Sequence, residues 1–267
     1  MGVITISRGS YSRGKETAKK LAQHLGYECI SREILLEASV HFNILELKLD
    51  RAIHNAPSIF ERFKNGKRKY IIFIREAFLE HIQKNGNVIY HGMAGQFFSK
   101  RIPNILKVRI IANLEDRIKE VMRREHISES EACDILNKDD ENRRKWGMYL
   151  YGIDTNDPSL YDIVLHIDNL KVDDAVETLF DIAKRPCFQT TRESQEIIDD
   201  YYLATKAQEA LSDGFPSAEV NCKKGIVCVK ISTPLSREQG ATNKIFDILN
   251  AKDIEGIKQV RVNAVPF

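Results

Sequence analysis

The segment Val3–Thr17 has the sequence VITISRGSYSRGKET, and its pattern predicts the fold of the first part of the chain. Residues 3–7 form a β-like, mostly apolar run that predicts a short buried strand. Residues 9–15 match the pattern GxxxxGK. A helical pattern then begins near Lys15 and ends at Gly26. A strand, a glycine-bearing loop and a helix in this order predict a phosphate-binding loop, or P-loop.

The residue types of this loop indicate its chemistry. The two glycines allow backbone N–H groups to turn towards phosphate oxygens, and the N-terminus of the following helix adds its dipole. Lys15 would reach the β- and γ-phosphates of a bound nucleotide as a point charge. The alternative is a tight glycine turn with a solvated lysine. The residues predicted to hold the nucleotide are Gly9, Ser10, Ser12, Arg13, Gly14, Lys15, Glu16 and Thr17.

The loop departs from the common motif at one position. That motif has Ser or Thr after the lysine as a ligand of Mg²⁺, whereas this chain has Glu16 followed by Thr17. Glu16 could bind Mg²⁺ directly or through water, or Thr17 or Ser12 could take its place. Alternatively, Glu16 only stabilises the helix N-terminus. The sequence predicts ATP and Mg²⁺ as cofactors, with Glu16 and Thr17 as candidate metal ligands.

Strand-like and helix-like segments alternate along the chain to about residue 185. Ser128 and Glu131 have the spacing of a capping box at a helix start. Together with the P-loop, this alternation predicts a doubly wound α/β domain over residues 1–185, with a parallel sheet flanked by helices. Strands are expected at residues 88–90, 106–112 and 161–167, and helices at 31–38, 58–84, 115–125 and 172–183.

The pattern changes after Pro186, and a second, smaller domain is predicted over residues 191–267. Strands at 218–222 and 226–232 flank Lys223-Lys224-Gly225, which predicts a hairpin. Helices at 194–211 and 237–249 and a strand at 257–265 complete the order αββαβ. This order predicts a small α+β domain.

Composition limits the classes of partner. The 267 residues carry a net charge of +2, without the basic excess of a dedicated nucleic-acid binder, so no nucleic acid is expected. No run approaches the roughly 20 apolar residues of a membrane span, so no integral membrane segment is expected. The five scattered cysteines form no CxxC pair and predict reduced thiols. With no signal-peptide pattern at the start, a cytoplasmic location is expected.

Two long segments resemble the cytidylate-kinase-like branch of the nucleoside monophosphate kinases. They are ITISRGSYSRGKETAKKLAQHLGYECISREIL and LEDRIKEVMRREHISESEACDILNKDDENRRKWGMYLYGIDTNDPSLYDIVLHID. The resemblance covers roughly residues 1–185, and members of the branch carry Glu at the position of Glu16. It implies an ATP-dependent phosphotransferase acting on a nucleoside monophosphate, CMP-like, or on a related small phosphate acceptor.

The resemblance also implies roles for residues outside the loop. Arg123 and Arg124 would face the donor phosphates, whereas Arg143 and Arg144 would act with Lys15 in catalysis as clamps on the transferring phosphoryl group. The implied acceptor-binding residues are Ser31, Arg32 and Asp140. The alternative for each of the four lid arginines is a solvated helix face, paired with Glu120, Glu125, Asp139 or Glu141. The Gly-Arg-Asp that cytidylate kinases carry after the third strand is replaced by HGMAG at residues 91–95.

Residues 191–267 resemble a BON domain, chiefly in the hairpin around Gly225 and in residues 256–262. The resemblance implies membrane, phospholipid or ligand binding, and the alternative is a module for packing, self-association or regulation. For the whole chain, two further functions stay open: a nucleotide-binding regulatory or sensor protein with little kinase turnover, and a purely structural interaction protein.

Overall fold

The computed structural model describes residues 2–31, 66–93 and 95–265 of the chain. These residues form two compact units. The first unit takes in residues 2–31, 85–93 and 95–190, and the second takes in residues 66–84 and 191–265. The division differs from the predicted domains in one respect, because residues 66–84 belong with the C-terminal segment.

The first unit contains a five-stranded sheet in which every neighbouring pair of strands is parallel. The strand order is β2-β3-β1-β4-β5. The predicted parallel α/β fold is thereby confirmed. The sequence did not predict β2, since only Ile30 of its four residues is buried and the strand shows no alternation. The strands are β1 (Val3–Arg8), β2 (Glu28–Ser31), β3 (Val88–His91), β4 (Ile105–Ala112) and β5 (Ile163–Ile167).

Capping signals mark the helix ends that the sequence predicted. Gly26 ends α1 with a φ of 68°, in the left-handed region that glycine adopts at low cost. At the start of α5, the Glu131 N–H donates to Ser128 Oγ, and Glu131 Oε2 accepts from the Ser128 N–H at 2.9 Å. The helices to this point are α1 (Gly14–Leu25), α2 (Gly66–Asn85), α3 (Gly95–Phe98), α4 (Leu114–Glu125), α5 (Glu129–Tyr151) and α6 (Val172–Ala183).

The core of the first unit lies where α1 and α6 pack on one face of the sheet. Ile6 and Ile110 come from the two central strands, and Leu21 and Leu179 come from the helices. All four side chains are fully buried. Burial of an aliphatic side chain of this size contributes about 1.5–3 kcal/mol. This core fixes the carboxyl end of β1 and the start of α1, and so the loop between them.

The second unit contains α2 and the elements that follow Thr191. Its sheet has the order β6-β7-β8, with an antiparallel hairpin β6/β7 and a parallel pair β7/β8. Lys224 and Gly225 both have positive φ, as a two-residue hairpin turn of this kind requires. The order αββαβ is confirmed. The elements are α7 (Arg192–Leu211), β6 (Glu219–Lys223), β7 (Ile226–Ser232), α8 (Glu238–Lys252) and β8 (Gln259–Val265).

None of the helices that the structure describes is both long enough and apolar enough to cross a lipid bilayer.

Candidate functional site

The predicted phosphate loop joins the carboxyl end of β1 to α1, at the edge of a parallel sheet where such folds bind ligands. The Gly9 N–H donates to the Ile110 carbonyl at 3.3 Å, which ties the loop to β4. Arg13 ends the loop with a left-handed φ of 63°. Strand, loop and helix therefore have the order that the GxxxxGK pattern predicted.

Gly14 is the loop position at which no other residue fits. A Cβ atom there would lie 2.6 Å from Arg8 Cβ, and that atom is bonded to the backbone and cannot swing away. The loop must pass this close to β1 for α1 to begin where it does. The second glycine of the motif is thus required by packing as well as by the approach of a phosphate.

The two loop serines are almost completely buried and have different partners. Ser12 Oγ donates within the protein, to the carbonyl oxygens of Gly9 at 2.9 Å and Ile110 at 3.1 Å. Ser10 Oγ instead accepts a hydrogen bond from Arg143 Nε at 2.9 Å. Ser12 therefore holds the loop in shape, and Ser10 connects it to α5.

Lys15, Glu16 and Thr17 form the first turn of α1 and differ in availability. Lys15 is exposed and makes no hydrogen bond or ion pair with any residue in the described ranges. Glu16 is partly exposed and lies 3.6 Å from Arg13 and 3.7 Å from Lys20. Thr17 is fully buried, and its hydroxyl donates to the Arg13 carbonyl at 3.1 Å. Of the two candidate metal ligands, Glu16 has the accessible oxygens that Mg²⁺ prefers.

Arg143 and Arg144 are neighbours in α5, but their side chains have different surroundings. Arg143 hydrogen-bonds to the phosphate loop through Ser10. Arg144 instead forms an exposed bidentate pair with Glu141, at 2.9 Å and 3.0 Å. The structure thus brings only the first of these arginines to the loop.

Arg123 and Arg124 both contact Glu120 on the same helix, α4. Arg123 donates through Nε at 3.1 Å and through Nη2 at 2.9 Å. The hydrogen bond from Arg123 is the main reason why the pKa of Glu120 lies below its usual value, although burial opposes the shift. Both arginines are largely exposed, and their ion pairs with Glu120 hold them on the surface of α4.

The predicted acceptor residues fall in three places. Ser31 is the last residue of β2, opposite His91 of β3. Asp140 lies in α5, where both of its carboxylate oxygens accept from Arg117 Nη2, at 2.9 Å and 2.8 Å. Arg32 lies outside the described residues.

Arg117 is a central residue of this site that the sequence did not single out. It is buried in α4, and its Nε donates to the Ser10 carbonyl at 2.7 Å. Because its other end holds Asp140, one side chain links the loop, α4 and α5. The available signal was its position four residues before the fully buried Val121, which places a charge on the inward face of an amphipathic helix.

Two cavities lie on either side of Arg117, which lines both. The first has a volume of about 550 Å³ and lies between the start of α1, the helix α4 and the segment after β5. That volume is within the range of about 300–1,000 Å³ usual for ligand pockets. Its charged lining is mixed in sign: basic residues such as Lys20, Arg123 and Lys171 lie beside acidic residues such as Glu16 and Asp116.

The second cavity, of about 230 Å³, lies on the other side of the loop. The loop glycine Gly9 and the α5 residues Asp140 and Arg143 line it, together with Gln96 and Arg109. The sequence did not single out Gln96 or Arg109. A signal for Arg109 was present, because it is a basic residue between the buried Val108 and Ile110 of a central strand.

Comparisons with known proteins give matches that agree with one another. The family model described as the cytidylate kinase-like family matches residues 3–169. A cytidylate kinase of Pyrobaculum aerophilum is 27% identical over 184 residues, covering 68% of this chain and 92% of that protein. A cytidylate kinase of Pyrococcus horikoshii is 28% identical over 167 residues, covering 61% and 79%.

Among solved structures, an uncharacterized protein from Eubacterium ventriosum superposes with a TM-score of 0.53. Its sequence is 22% identical, and the match covers 69% of this chain and 100% of that one. This likeness concerns the fold alone.

Proposed function

This chain belongs to the cytidylate kinase-like family, and from that premise we propose that it transfers the γ-phosphoryl group of ATP to a nucleoside monophosphate. The acceptor we propose is CMP-like, or a related small phosphate ester. The family match and the two similar cytidylate kinases support the assignment of this chain as a phosphotransferase.

The observation that carries the proposal is the placement of the loop between two cavities, with Arg143 hydrogen-bonded to it at Ser10. Phosphoryl transfer needs little covalent help from the protein. It needs a donor and an acceptor held on either side of the transferred group, and fixed positive charge around that group. The loop, Lys15 and Arg143 would supply both requirements at one edge of the sheet.

We assign the larger cavity to ATP and the smaller one to the acceptor. Backbone N–H groups of residues 9–14, together with Lys15, would hold the triphosphate, with Arg123 and Arg124 released from Glu120 to face it. Glu16 fits the part of an Mg²⁺ ligand because its carboxylate is accessible at the helix start. Bound Mg²⁺ would neutralise phosphate charge. Thr17 would first have to give up its hydrogen bond to Arg13.

The acceptor needs no strong general base, because its phosphate oxygen is already anionic. The role we propose for Arg143 is to stabilise charge on the transferring group, with Arg144 as a second lid arginine once it leaves Glu141. Asp140 would act through Arg117, which it orients. Ser31 and Arg32 would contact the acceptor from the end of β2.

The direct test is a coupled assay of ADP release with Mg-ATP and each of CMP, dCMP, UMP, AMP, GMP and dTMP. We expect one acceptor to raise ADP release well above ATP hydrolysis alone. Lys15→Ala should abolish this increase, because the point charge on the β- and γ-phosphates is lost. Lys84→Ala, at an exposed position in α2, is the matched control and should keep full activity.

Tight ATP binding with no turnover on any acceptor would contradict the kinase and favour a nucleotide sensor. The replacement of Gly-Arg-Asp by HGMAG at residues 91–95 is the observation that favours this second candidate. ATP affinity that is unchanged in Lys15→Ala would remove the P-loop assignment itself.

For the second unit we propose a BON-like module that binds a ligand or a second copy of the chain. Its support is the αββαβ order together with the small three-stranded sheet. We also propose the cytoplasm as the site of action. All five cysteines are free thiols, the state that a reducing compartment maintains.

A further inference from the structure

Two polar side chains of the smaller cavity have no part in the transfer as proposed above. Gln96 lies in the short helix α3 that follows β3, and Arg109 lies in β4. Both line the cavity on the same side of the phosphate loop as Arg143. Their hydrogen bonding indicates what the cavity can bind.

Gln96 presents a buried donor that lacks an acceptor. Its side chain is only 4% exposed, and its Nε2 has no hydrogen-bond partner among residues 2–31, 66–93 and 95–265. A buried amide N–H without a partner is unfavourable, because the group has lost its water and gained nothing. Gln96 lines the cavity, so a rotation of its buried amide would present this donor to an oxygen atom of a bound ligand.

Arg109 presents a positive charge whose hydrogen-bond partners are all neutral groups. Its Nη2 donates to Asn156 Oδ1 at 2.6 Å, and its Nη1 donates to Tyr161 Oη at 3.3 Å and Ser7 Oγ at 3.4 Å. The guanidinium also lies 5.6 Å from the centre of the Tyr161 ring. In the part of the chain that the structure describes, no carboxylate forms an ion pair with it.

Four other arginines near the loop contrast with Arg109. Arg117 is paired with Asp140, Arg123 and Arg124 are paired with Glu120, and Arg144 is paired with Glu141. A partly buried charge without a counter-charge is costly, and an anionic ligand would offset that cost. Arg109 is therefore the arginine of this group best suited to receive an anion.

The position of Arg109 agrees with a phosphate as that anion. In the register of β1 and β4, Arg109 is opposite Ser7, two residues before Gly9 of the loop. A phosphate held by Arg109 would thus lie beside the loop that is proposed to present the group for transfer. The planar guanidinium can donate two parallel hydrogen bonds to one phosphate.

We propose that Arg109 and Gln96 form the acceptor-recognition subsite of this chain. Arg109 binds the phosphate of a nucleoside monophosphate, and Gln96 Nε2 donates to an oxygen atom on the nucleoside part of the same molecule. This inference rests on the proposed function, since it takes the smaller cavity as the acceptor site. It adds two specificity-determining residues that act on the two ends of the acceptor.

The test is calorimetric titration of the full chain with a mononucleotide and with its unphosphorylated nucleoside. The probe is whichever of CMP, dCMP, UMP, AMP, GMP and dTMP binds the wild-type protein. In Arg109→Gln we expect the mononucleotide Kd to rise at least about tenfold and the nucleoside Kd to stay within about twofold. In Gln96→Leu we expect both Kd values to rise about fivefold or more.

Two measurements guard against a general loss of structure. ATP affinity should stay within about twofold in both variants, because neither residue lines the larger cavity. Arg185→Gln removes an exposed arginine of the same unit and should change none of the three affinities. Arg109→Lys keeps the charge but loses the planar fork, so its mononucleotide Kd should lie between the wild-type and Arg109→Gln values.

Equal mononucleotide affinity in wild-type protein and Arg109→Gln would overturn the inference. So would a wild-type protein that binds none of the six mononucleotides. The inference and the proposed function fail in different ways. Binding that depends on Arg109 without phosphoryl transfer supports the subsite and contradicts the kinase, whereas Lys15-dependent transfer that ignores Arg109 supports the kinase and contradicts the subsite.

Discussion

The two units of this protein differ in what their polar side chains do. In the first unit, charged and amide groups meet around a loop and two cavities; among the described residues Arg109 hydrogen-bonds only to neutral groups and Gln96 Nε2 has no acceptor. In the second unit, Asp200 of α7 accepts hydrogen bonds from the backbone N–H groups of Lys224 and Gly225 and holds the hairpin in place. In the first unit, polar groups that line a cavity are thus left open to a ligand.

The second unit nevertheless contains buried side-chain atoms that no hydrogen bond satisfies, and one of them belongs to Glu76 of α2. This carboxyl is 7% exposed, and within the described residues its Oε2 has no hydrogen-bond partner. Burial raises the pKa of Glu76 to about 7, and the negative charge of Glu209 adds to the shift. We therefore expect the buried Glu76 carboxyl to lower the stability of the second unit. In the first unit, we expect Gln96 and Arg109 to bind a ligand instead.

Gly14→Ala, in the first unit, is expected to have the largest effect on phosphoryl transfer. The added Cβ would lie 2.6 Å from Arg8 Cβ, so the loop must shift and its N–H groups lose their common direction. We expect at least about a 1,000-fold loss of kcat/KM for phosphoryl transfer. Steady-state kinetics with Mg-ATP and the best acceptor would measure it.

Gly240→Ala is the control for that substitution. Gly240 lies in α8 of the second unit, and no atom lies within 4 Å of the position of its Cβ. This variant should retain full activity and gain up to about 1 kcal/mol in stability, since Ala favours helix over Gly. Retained transfer activity in Gly14→Ala would contradict the account of the loop.

The second effect separates two neighbouring residues of the first unit, Arg143 and Arg144. Arg143→Ala should lower kcat about 100-fold with little change in the KM for ATP, because its charge is needed most in the transition state. Arg144→Ala should lower kcat by only about threefold, since its guanidinium is exposed and paired with Glu141. The measurement is kcat and KM for both substrates.

Equal losses in the two variants would show that Arg144 leaves Glu141 and contributes to transfer as much as Arg143. A loss confined to ATP affinity in Arg143→Ala would move Arg143 to the donor side of the site.

The third effect concerns Glu76 and depends on pH. Since its pKa is raised in the folded state, the folded protein holds this proton more tightly than the unfolded chain does between pH about 4.5 and 7. Stability therefore falls as pH rises through that window and stays low above pH 7. Glu76→Gln should stabilise the second unit at pH 8, by on the order of 2–3 kcal/mol, and have little effect at pH 4.

Hydrogen exchange of backbone amides in β6 and β7, measured at both pH values, would report this difference for the second unit. Trp146, the single tryptophan of the chain, lies in the first unit, and its fluorescence transition serves as the internal control. A Glu76→Gln protein that is equally stable relative to wild type at pH 4 and pH 8 would contradict the prediction.

The smallest effect is expected at Asp200. Burial alone would raise the pKa of this carboxyl, but the hydrogen bonds from Gly225 and Lys224 outweigh burial and lower it. The carboxylate thus stabilises the fold above about pH 4, and the contribution is lost as pH falls through the lowered pKa. Asp200→Ala should destabilise the second unit by about 1–2 kcal/mol at pH 7.

Asp247→Ala is the matched control for Asp200. Asp247 is exposed on α8, so its removal should change stability by less than about 0.5 kcal/mol. If both variants were equally stable in chemical denaturation, the hairpin would not depend on the Asp200 contacts.

The sequence predicted most of the fold because its periodic signals are strong. Residues 172–183 and 226–232 were predicted as a helix and a strand with the bounds that α6 and β7 have. The four-residue strand β2 was missed, since a strand so short carries no alternation. The grouping of residues 66–84 with the C-terminal segment was also missed, because a helical pattern indicates which face is apolar and not which domain covers it.

The candidate site could be predicted only where a motif is local. The loop glycines and Lys15 follow from one contiguous pattern. Arg117 and Arg109 acquire their roles from partners 107 and 102 residues away in sequence, Ser10 and Ser7. Such contacts depend on strand order and register, which residue spacing does not reveal. The distinction between Arg143 and Arg144 likewise needs the position of each side chain around α5.

The central claim is that the first unit passes a phosphoryl group from ATP to a mononucleotide. The most direct measurement is transfer of label from [γ-³²P]ATP to the six mononucleotides, with wild-type and Lys15→Ala protein. We predict label in one nucleoside diphosphate with the wild-type protein and none with Lys15→Ala. Label found only in inorganic phosphate, or transfer that persists in Lys15→Ala, would contradict the account.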